Sequence, residues 1–350
     1  MTEALKGRPY PTAIGSVPYQ DAAVACEKIL KNFTDIPFWP QLVRRSFLEN
    51  MYVQFSGKFP GIVVDSRERR VWVDTAAKAL SGEIEKLYEK FLSGDVGYFA
   101  IEREYAAGLY AMVEAIQKSK RKPLFVKGHI TGPVSFGLTV TDEKKRALLH
   151  NTELKEALLK TLAMRGRWQV RKLREAGAPV IIFIDEPYLA SMGSSYISLN
   201  KAEALSALSE VGAAIHREGA LCGMHCCGNT DWGFLLGADI DILSFDAYNF
   251  YETLSLYPQE LKAFYARGGV IAWGVVPNTE AIFKENDNAL LERMRKAVAL
   301  LADKGIPKET VARAMMVTPS CGLGLVDERL ADEVIGRTVS FAQKITAALL

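Results

Sequence analysis

The sequence has little net charge, no long apolar run and no even set of cysteines, and each deficit removes a class of function. Lys and Arg number 43 against 41 Asp and Glu, a formal charge of +2, with no basic tail or Lys/Arg cluster. Nucleic-acid binding, which depends on neutralising phosphates, therefore has no electrostatic footprint. No apolar run approaches the roughly 20 residues that span a bilayer, so a membrane is not an expected partner. The stretch Met1-Thr2-Glu3-Ala4-Leu5-Lys6-Gly7-Arg8 lacks the apolar core of a signal peptide. Five cysteines, an odd number in a large chain, argue against a disulfide framework and for a reducing compartment. No linker, repeat or low-complexity segment splits the chain. The expectation is a soluble, cytoplasmic protein of one domain, residues 1–350.

What is present is apolar and periodic. Hydrophobic residues make up 49% of 350, enough for a large core and too long for most single domains other than barrels. Eight short apolar runs, at 12–16, 61–65, 124–129, 180–184, 221–227, 240–246, 269–276 and 314–318, read as strands. Amphipathic stretches between them read as helices, among them 21–31, most of 38–55 and of 142–176, 201–217, 288–303 and 327–349. The run Val180-Ile181-Ile182-Phe183-Ile184 is apolar at every position, as a strand covered on both faces must be. Strand and helix in alternation predict an α/β fold, a (β/α)8 TIM barrel, with a doubly wound sheet as the alternative. Ser16, Asp185, Glu186, His225, Cys227, Asp246 and Cys321 gather at the C-terminal ends of the runs, the rim on which such barrels build active sites.

Two constellations carry chemistry. In a strand, residues i and i+2 face the same side, so His225 and Cys227 can converge on one ion. Cys321 offers a third soft ligand from another strand end, and Asp246 a fourth, exchangeable oxygen. The competing explanation is that these are reduced cysteines acting as small buried hydrophobes. Cys222 and Cys226 have the wrong parity or lie deeper and read as structural, and Cys26 as core. The corner Asp185-Glu186-Pro187 suits binding a substrate amine or holding a proton; it suits equally a pair that anchors a loop by accepting backbone N–H bonds. Ile14-Gly15-Ser16 and Thr131-Gly132-Pro133 are turns whose N–H groups could grip a carboxylate.

In order along the chain, Ile14-Gly15-Ser16-Val17-Pro18, Lys127-Gly128-His129-Ile130-Thr131-Gly132-Pro133-Val134, Ile184-Asp185-Glu186-Pro187, His225-Cys226-Cys227 and Ser320-Cys321-Gly322-Leu323 resemble the motifs of the C-terminal catalytic barrel of cobalamin-independent methionine synthase, within the uroporphyrinogen decarboxylase-like superfamily. The resemblance implies a Zn²⁺ site at His225, Cys227 and Cys321, with Asp246 where the family carries a Glu ligand. It further implies that Asp185 binds the amino group of homocysteine, while Ile14, Gly15 and Ser16 contact the amino acid through backbone and hydroxyl.

Several departures bear on the methyl donor. The long synthase has a second, N-terminal barrel for which these 350 residues have no room. The Trp that stacks on folate is replaced near Thr139, and the proton-donating His expected at the end of the seventh strand is absent from Trp273-Gly274-Val275-Val276. A second acidic contact to the amine has only Ser46 or Glu49 nearby. A methyl on the folate amine needs a general acid for its departure, whereas a methyl on cobalt needs none. The expected reaction is zinc-dependent methylation of the homocysteine thiol, with methylcobalamin or a methylated corrinoid protein as donor. The alternatives are a corrinoid-dependent methyltransferase with another thiol acceptor, such as coenzyme M, and a metal-free decarboxylase of the uroporphyrinogen type.

Overall fold

The structure is a computed structural model and describes residues 1–192 and 199–349. The described strands are β1 (Tyr10–Pro11), β2 (Ile62–Asp65), β3 (Arg70–Val73), β4 (Val126–Thr131), β5 (Thr141–Asp142), β6 (Val180–Asp185), β7 (Leu221–Cys226), β8 (Ile242–Phe245), β9 (Val270–Val276) and β10 (Met315–Pro319). Seven of them form one curled parallel sheet in the order β1-β10-β9-β8-β7-β6-β4, with helices around it. The expected closed eight-stranded barrel is therefore corrected to an open, barrel-like sheet. The run at 61–65 is a strand but not a member: β2 pairs antiparallel with β3, and β3 with β5, in a separate small sheet.

The place between β1 and β4 is taken by residues 35–41. There the Phe125 amide donates to Asp35 O at 3.1 Å, Lys127 N to Pro37 O at 2.8 Å, and Trp39 N to Lys127 O at 3.2 Å. On the other side Gln41 N donates to Gly15 O, and Val17 N to Gln41 O, both at 3.0 Å. Pro37 and Pro40 lack the N–H that a continuous ladder needs, so the contact is reduced to isolated bridges, Phe38 with Lys127 and Ser16 with Gln41. Residues 38–55, expected mostly helical, instead hold a single 3-10 turn, Phe47–Glu49, capped by Ser46, among other turns. Their apolar residues Phe38, Trp39, Leu42, Val53 and Phe55 are buried without helical periodicity.

Alternation along the strands sorts the core into two. Ile181 and Phe183 join Tyr10, Ile36, Phe125, Leu221, Ile242, Val270, Ala272 and Met316 in a small cluster inside the curl. Val180, Ile182 and Ile184 pack with the helices in the large outer cluster, as do Cys222, Met224 and Cys226. Two further residues along the inner parity lie Asp185 and His225, paired across β6 and β7. Several helices match their expected bounds, notably Lys201–Arg217, closed by a capping box between Asn200 and Glu203. The 142–176 stretch is helical only over Thr152–Arg174, because β5 and the turn Leu148–His150 take up its start. Among the described residues no helix is long and apolar enough to cross a membrane.

Candidate metal centre

The inner parity of β7 brings His225 to the rim, and Cys227 follows one residue past the strand end. Cys321 lies just beyond β10. One ligand atom from each of His225, Cys227 and Cys321 falls within 4.8 Å of the others, a group that could hold a metal ion. A tetrahedral zinc site with Zn–S and Zn–N bonds of ordinary length separates its ligand atoms by about 3.5–4 Å, which a group held within that limit can supply.

Two of the three residues are held from behind. His225 Nδ1 lies 3.0 Å from the hydroxyl of Ser244, its register partner on β8, while Nε2 is buried with no hydrogen-bond partner among the described residues. The loop carrying Cys321 is tied on both flanks. Asn278 bonds Ser320 Oγ and donates from Nδ2 to Gly322 O at 3.1 Å, while Ser16 accepts from Gly324 N at its hydroxyl and from Leu323 N at its carbonyl. A hydrogen bond from Cys321 and the nearby His225 lower the pKa of Cys227, while the same contact and burial raise that of Cys321. An orphaned ring nitrogen beside two sulfurs, one already favouring the thiolate, fits zinc well.

Asp246 does not join this group. It caps the helix Ala247–Leu254, its oxygens taken by Asn249 N at 3.0 Å and Asn249 Nδ2 at 2.7 Å. As the N-cap of that helix, with Asn249 three residues on, Asp246 has a local structural role beside the one expected of it as a fourth ligand. It stays near enough to feel the charges of His225 and Cys227.

At the Asp185-Glu186 corner the two carboxylates have opposite fates. Glu186 is fully buried and accepts from Val134 N and Ser135 N, both at 2.8 Å, and from Ser135 Oγ at 2.6 Å, anchoring the start of the helix Pro133–Thr139. Burial pushes it up to about 7. Asp185 points along the inner parity with Oδ1 buried and unpartnered among the described residues. Burial raises its pKa, against the pull of His225 and Lys127. Of the two residues near which a second acidic contact was sought, Glu49 is buried against Arg45 and the Leu42 amide, each at 2.9 Å, and Ser46 accepts from Leu48 N, so neither is free.

Ile14, Gly15 and Ser16 lie against residues to which the sequence assigned no role. Lys127, fully buried, donates from Nζ to Ile14 O and lies 4.2 Å from the centre of the Phe183 ring. His129 stacks on Trp39 at 3.9 Å with both ring nitrogens unpartnered among the described residues, and burial beside Lys127 holds it neutral. A Cβ at Gly15 would meet His129 Nδ1 at 2.5 Å, so only glycine permits the approach. Polar residues at alternate positions of β4, inside an otherwise apolar strand, were the available signal.

A barrel-like α/β sheet thus gathers a His, two Cys and a carboxylate oxygen unpartnered among the described residues at one rim, the place where enzymes of that architecture build their sites. The chain belongs to the family described as the cobalamin-independent synthase catalytic domain, whose model matches residues 11–344. Membership makes it a methyltransferase. One solved structure agrees at the level of fold, and a second is a weaker likeness. A methyltransferase from Methanosarcina mazei matches with a TM-score of 0.58 and 14% identity over 98% of this chain and 97% of that one. A B12-independent methionine synthase from Shewanella sp. W3-18-1 in complex with selenomethionine matches with a TM-score of 0.46 and 18% identity, over 68% of this chain and 67% of that one. No curated protein matches the sequence.

Proposed function

We propose that the chain, acting as one catalytic domain, transfers a methyl group to the thiol of homocysteine or a similar amine-bearing thiol, with zinc held by His225, Cys227 and Cys321. The observation that carries this reading is the convergence of those three ligand atoms within 4.8 Å beside a buried carboxylate oxygen with no partner among the described residues. Zinc, when bound, supplies the Lewis acidity that keeps an acceptor thiol deprotonated near neutral pH, where a free thiol of pKa about 8.5 is mostly protonated.

The chain's own residues do the rest. The Nδ1–H tautomer of His225, donating to Ser244, leaves the Nε2 lone pair free for the metal. Asp185, ionised when an ammonium approaches, would orient the acceptor and restrict it to one pose, the proximity contribution. Ser16 and Asn278 brace the Cys321 loop, so that the thiol keeps its position as the acceptor enters. In the net step a sulfur–carbon bond forms as the bond from carbon to the donor breaks.

For the donor, the family description points away from cobalamin; the reading that favours it rests on the end of β9, Trp273-Gly274-Val275-Val276, which carries no acid or imidazole able to protonate a departing folate amine. We therefore retain methylcobalamin or a methylated corrinoid protein as the donor. Zinc analysis of the purified protein, followed by methyl transfer to homocysteine from methylcobalamin and from methyltetrahydrofolate, tests both parts. Stoichiometric zinc and turnover with methylcobalamin are expected. Efficient use of the folate refutes the donor assignment, and a zinc-free active enzyme refutes the site.

A further inference from the structure

A second functional feature lies on the long helix Thr152–Arg174. Its buried face runs through Leu154, Leu158, Leu162, Arg165 and Gln169, so a guanidinium sits where the helical period calls for an apolar side chain. Arg165 is 2% exposed. Its Nη2 donates to Gly57 O, but Nε is buried with no hydrogen-bond partner among the described residues, and no carboxylate is bonded to it. Glu102, the carboxylate whose charge acts on it, is half-exposed and pairs with Lys58 at 3.3 Å. A buried cation without a bonded anion is costly, and one orphaned donor adds to that cost.

The guanidinium faces a cavity of about 80 Å³ lined by Gly57, Lys58, Ala100, Glu102, Tyr105 and Arg165. That is room for a few waters or one small oxyanion. Lys58 at the rim is held at φ +57, in the left-handed region that non-glycine residues seldom adopt, and such strain persists where the surroundings impose it. With two cations against one half-exposed carboxylate, the cavity carries net positive charge.

We propose that this cavity is a binding site for a small oxyanion, either inorganic phosphate or the carboxylate of a metabolite, held by Arg165 and Lys58. An anion there offsets the buried charge and satisfies the orphaned Nε with a charge-assisted bond. The site is separate from the metal centre but shares a wall with its surroundings. Phe55, two residues before Gly57, packs edge-on against His129 at 6.2 Å, and Met51 O accepts from Thr131 Oγ1 at 2.6 Å.

Thermal unfolding of the full chain in inorganic phosphate, in acetate and in chloride, at equal ionic strength, tests the proposal. Phosphate or acetate at about tenfold its dissociation constant should raise the midpoint by about 3 °C over chloride, and the effective anion names the source. Arg165→Met should abolish the shift and Lys58→Met should weaken the apparent affinity about fivefold. Should Arg165→Met fail to fold, the exposed Lys58→Met decides alone. Equal midpoints of the wild type in all three salts, or an undiminished shift in either variant, overturns the proposal.

Discussion

Ser244→Ala is the sharpest test of the metal centre, because it touches no ligand. Ser244 is fully buried on β8 and its hydroxyl is the partner of His225 Nδ1, at 3.0 Å. Removing the oxygen leaves a volume close to that of Ser, so the sheet is undisturbed, but the imidazole loses the group that sets its tautomer and ring orientation. Loss of such an outer partner weakens metal affinity by about 10- to 100-fold, or about 1.4–2.7 kcal/mol. A second, smaller effect falls on the metal-free protein, where a buried nitrogen left unpaired costs on the order of 1–2 kcal/mol. The two separate experimentally. Competition of the protein with a chromophoric chelator gives the zinc dissociation constant, and urea unfolding of the metal-free protein gives the stability term. Weaker zinc binding by at least tenfold, in a protein that still unfolds cooperatively, is expected. An affinity within twofold of wild type would refute the claim that Ser244 fixes the ligand.

Asp185→Asn should raise KM for homocysteine by about 100-fold while leaving KM for a thiol without an amine within threefold, measured by steady-state methylation of both acceptors; parallel losses would contradict the assigned contact. Gly132→Ala should destabilise the fold by about 3 kcal/mol in urea unfolding, since the new Cβ would lie 2.1 Å from Oε1 of the Glu186 carboxylate, whose two oxygens together are fixed by three hydrogen bonds. His216 bonds Asp241 at 2.8 Å, and that contact raises its pKa above the usual histidine value. A raised folded pKa stabilises fully below the unfolded value of about 6.5, and the benefit fades as pH rises through the folded value. The melting temperature of wild type minus that of His216→Gln should therefore be largest at pH 5.5 and shrink toward pH 8.5; a pH-independent difference would contradict it.

Much of this was legible in the sequence because its signals are local. Strands β6, β7, β9 and β10 are apolar at nearly every position, and burial on both faces leaves no other reading. The i, i+2 spacing placed His225 and Cys227 together, and parity separated them from Cys222 and Cys226, which pack outward. Failures came where a local signal had two outcomes. Ile62–Asp65 has strand character, but pairing partner is not encoded in a tetrapeptide, and it left the main sheet. At Asp246 the signal of a carboxylate at a strand end did not also reveal the helix cap that Asn249 completes. Lys127 and His129 lie in a motif that was noticed, but their burial depends on Trp39, Gln169 and Gly15, which only the tertiary structure brings to them.

The proline-bearing segment at 35–41 has one more consequence. A curled sheet that stops short of closing has two free edges, β1 and β4, and unpaired strand edges recruit strands from other molecules. Residues 35–41 fill the gap, bonding Lys127 of β4 on one side and Gly15 and Val17, just past β1, on the other, so neither side of the segment is left open to a further strand. The same residues that deny the fold a regular eighth strand thereby guard it against edge-to-edge self-association.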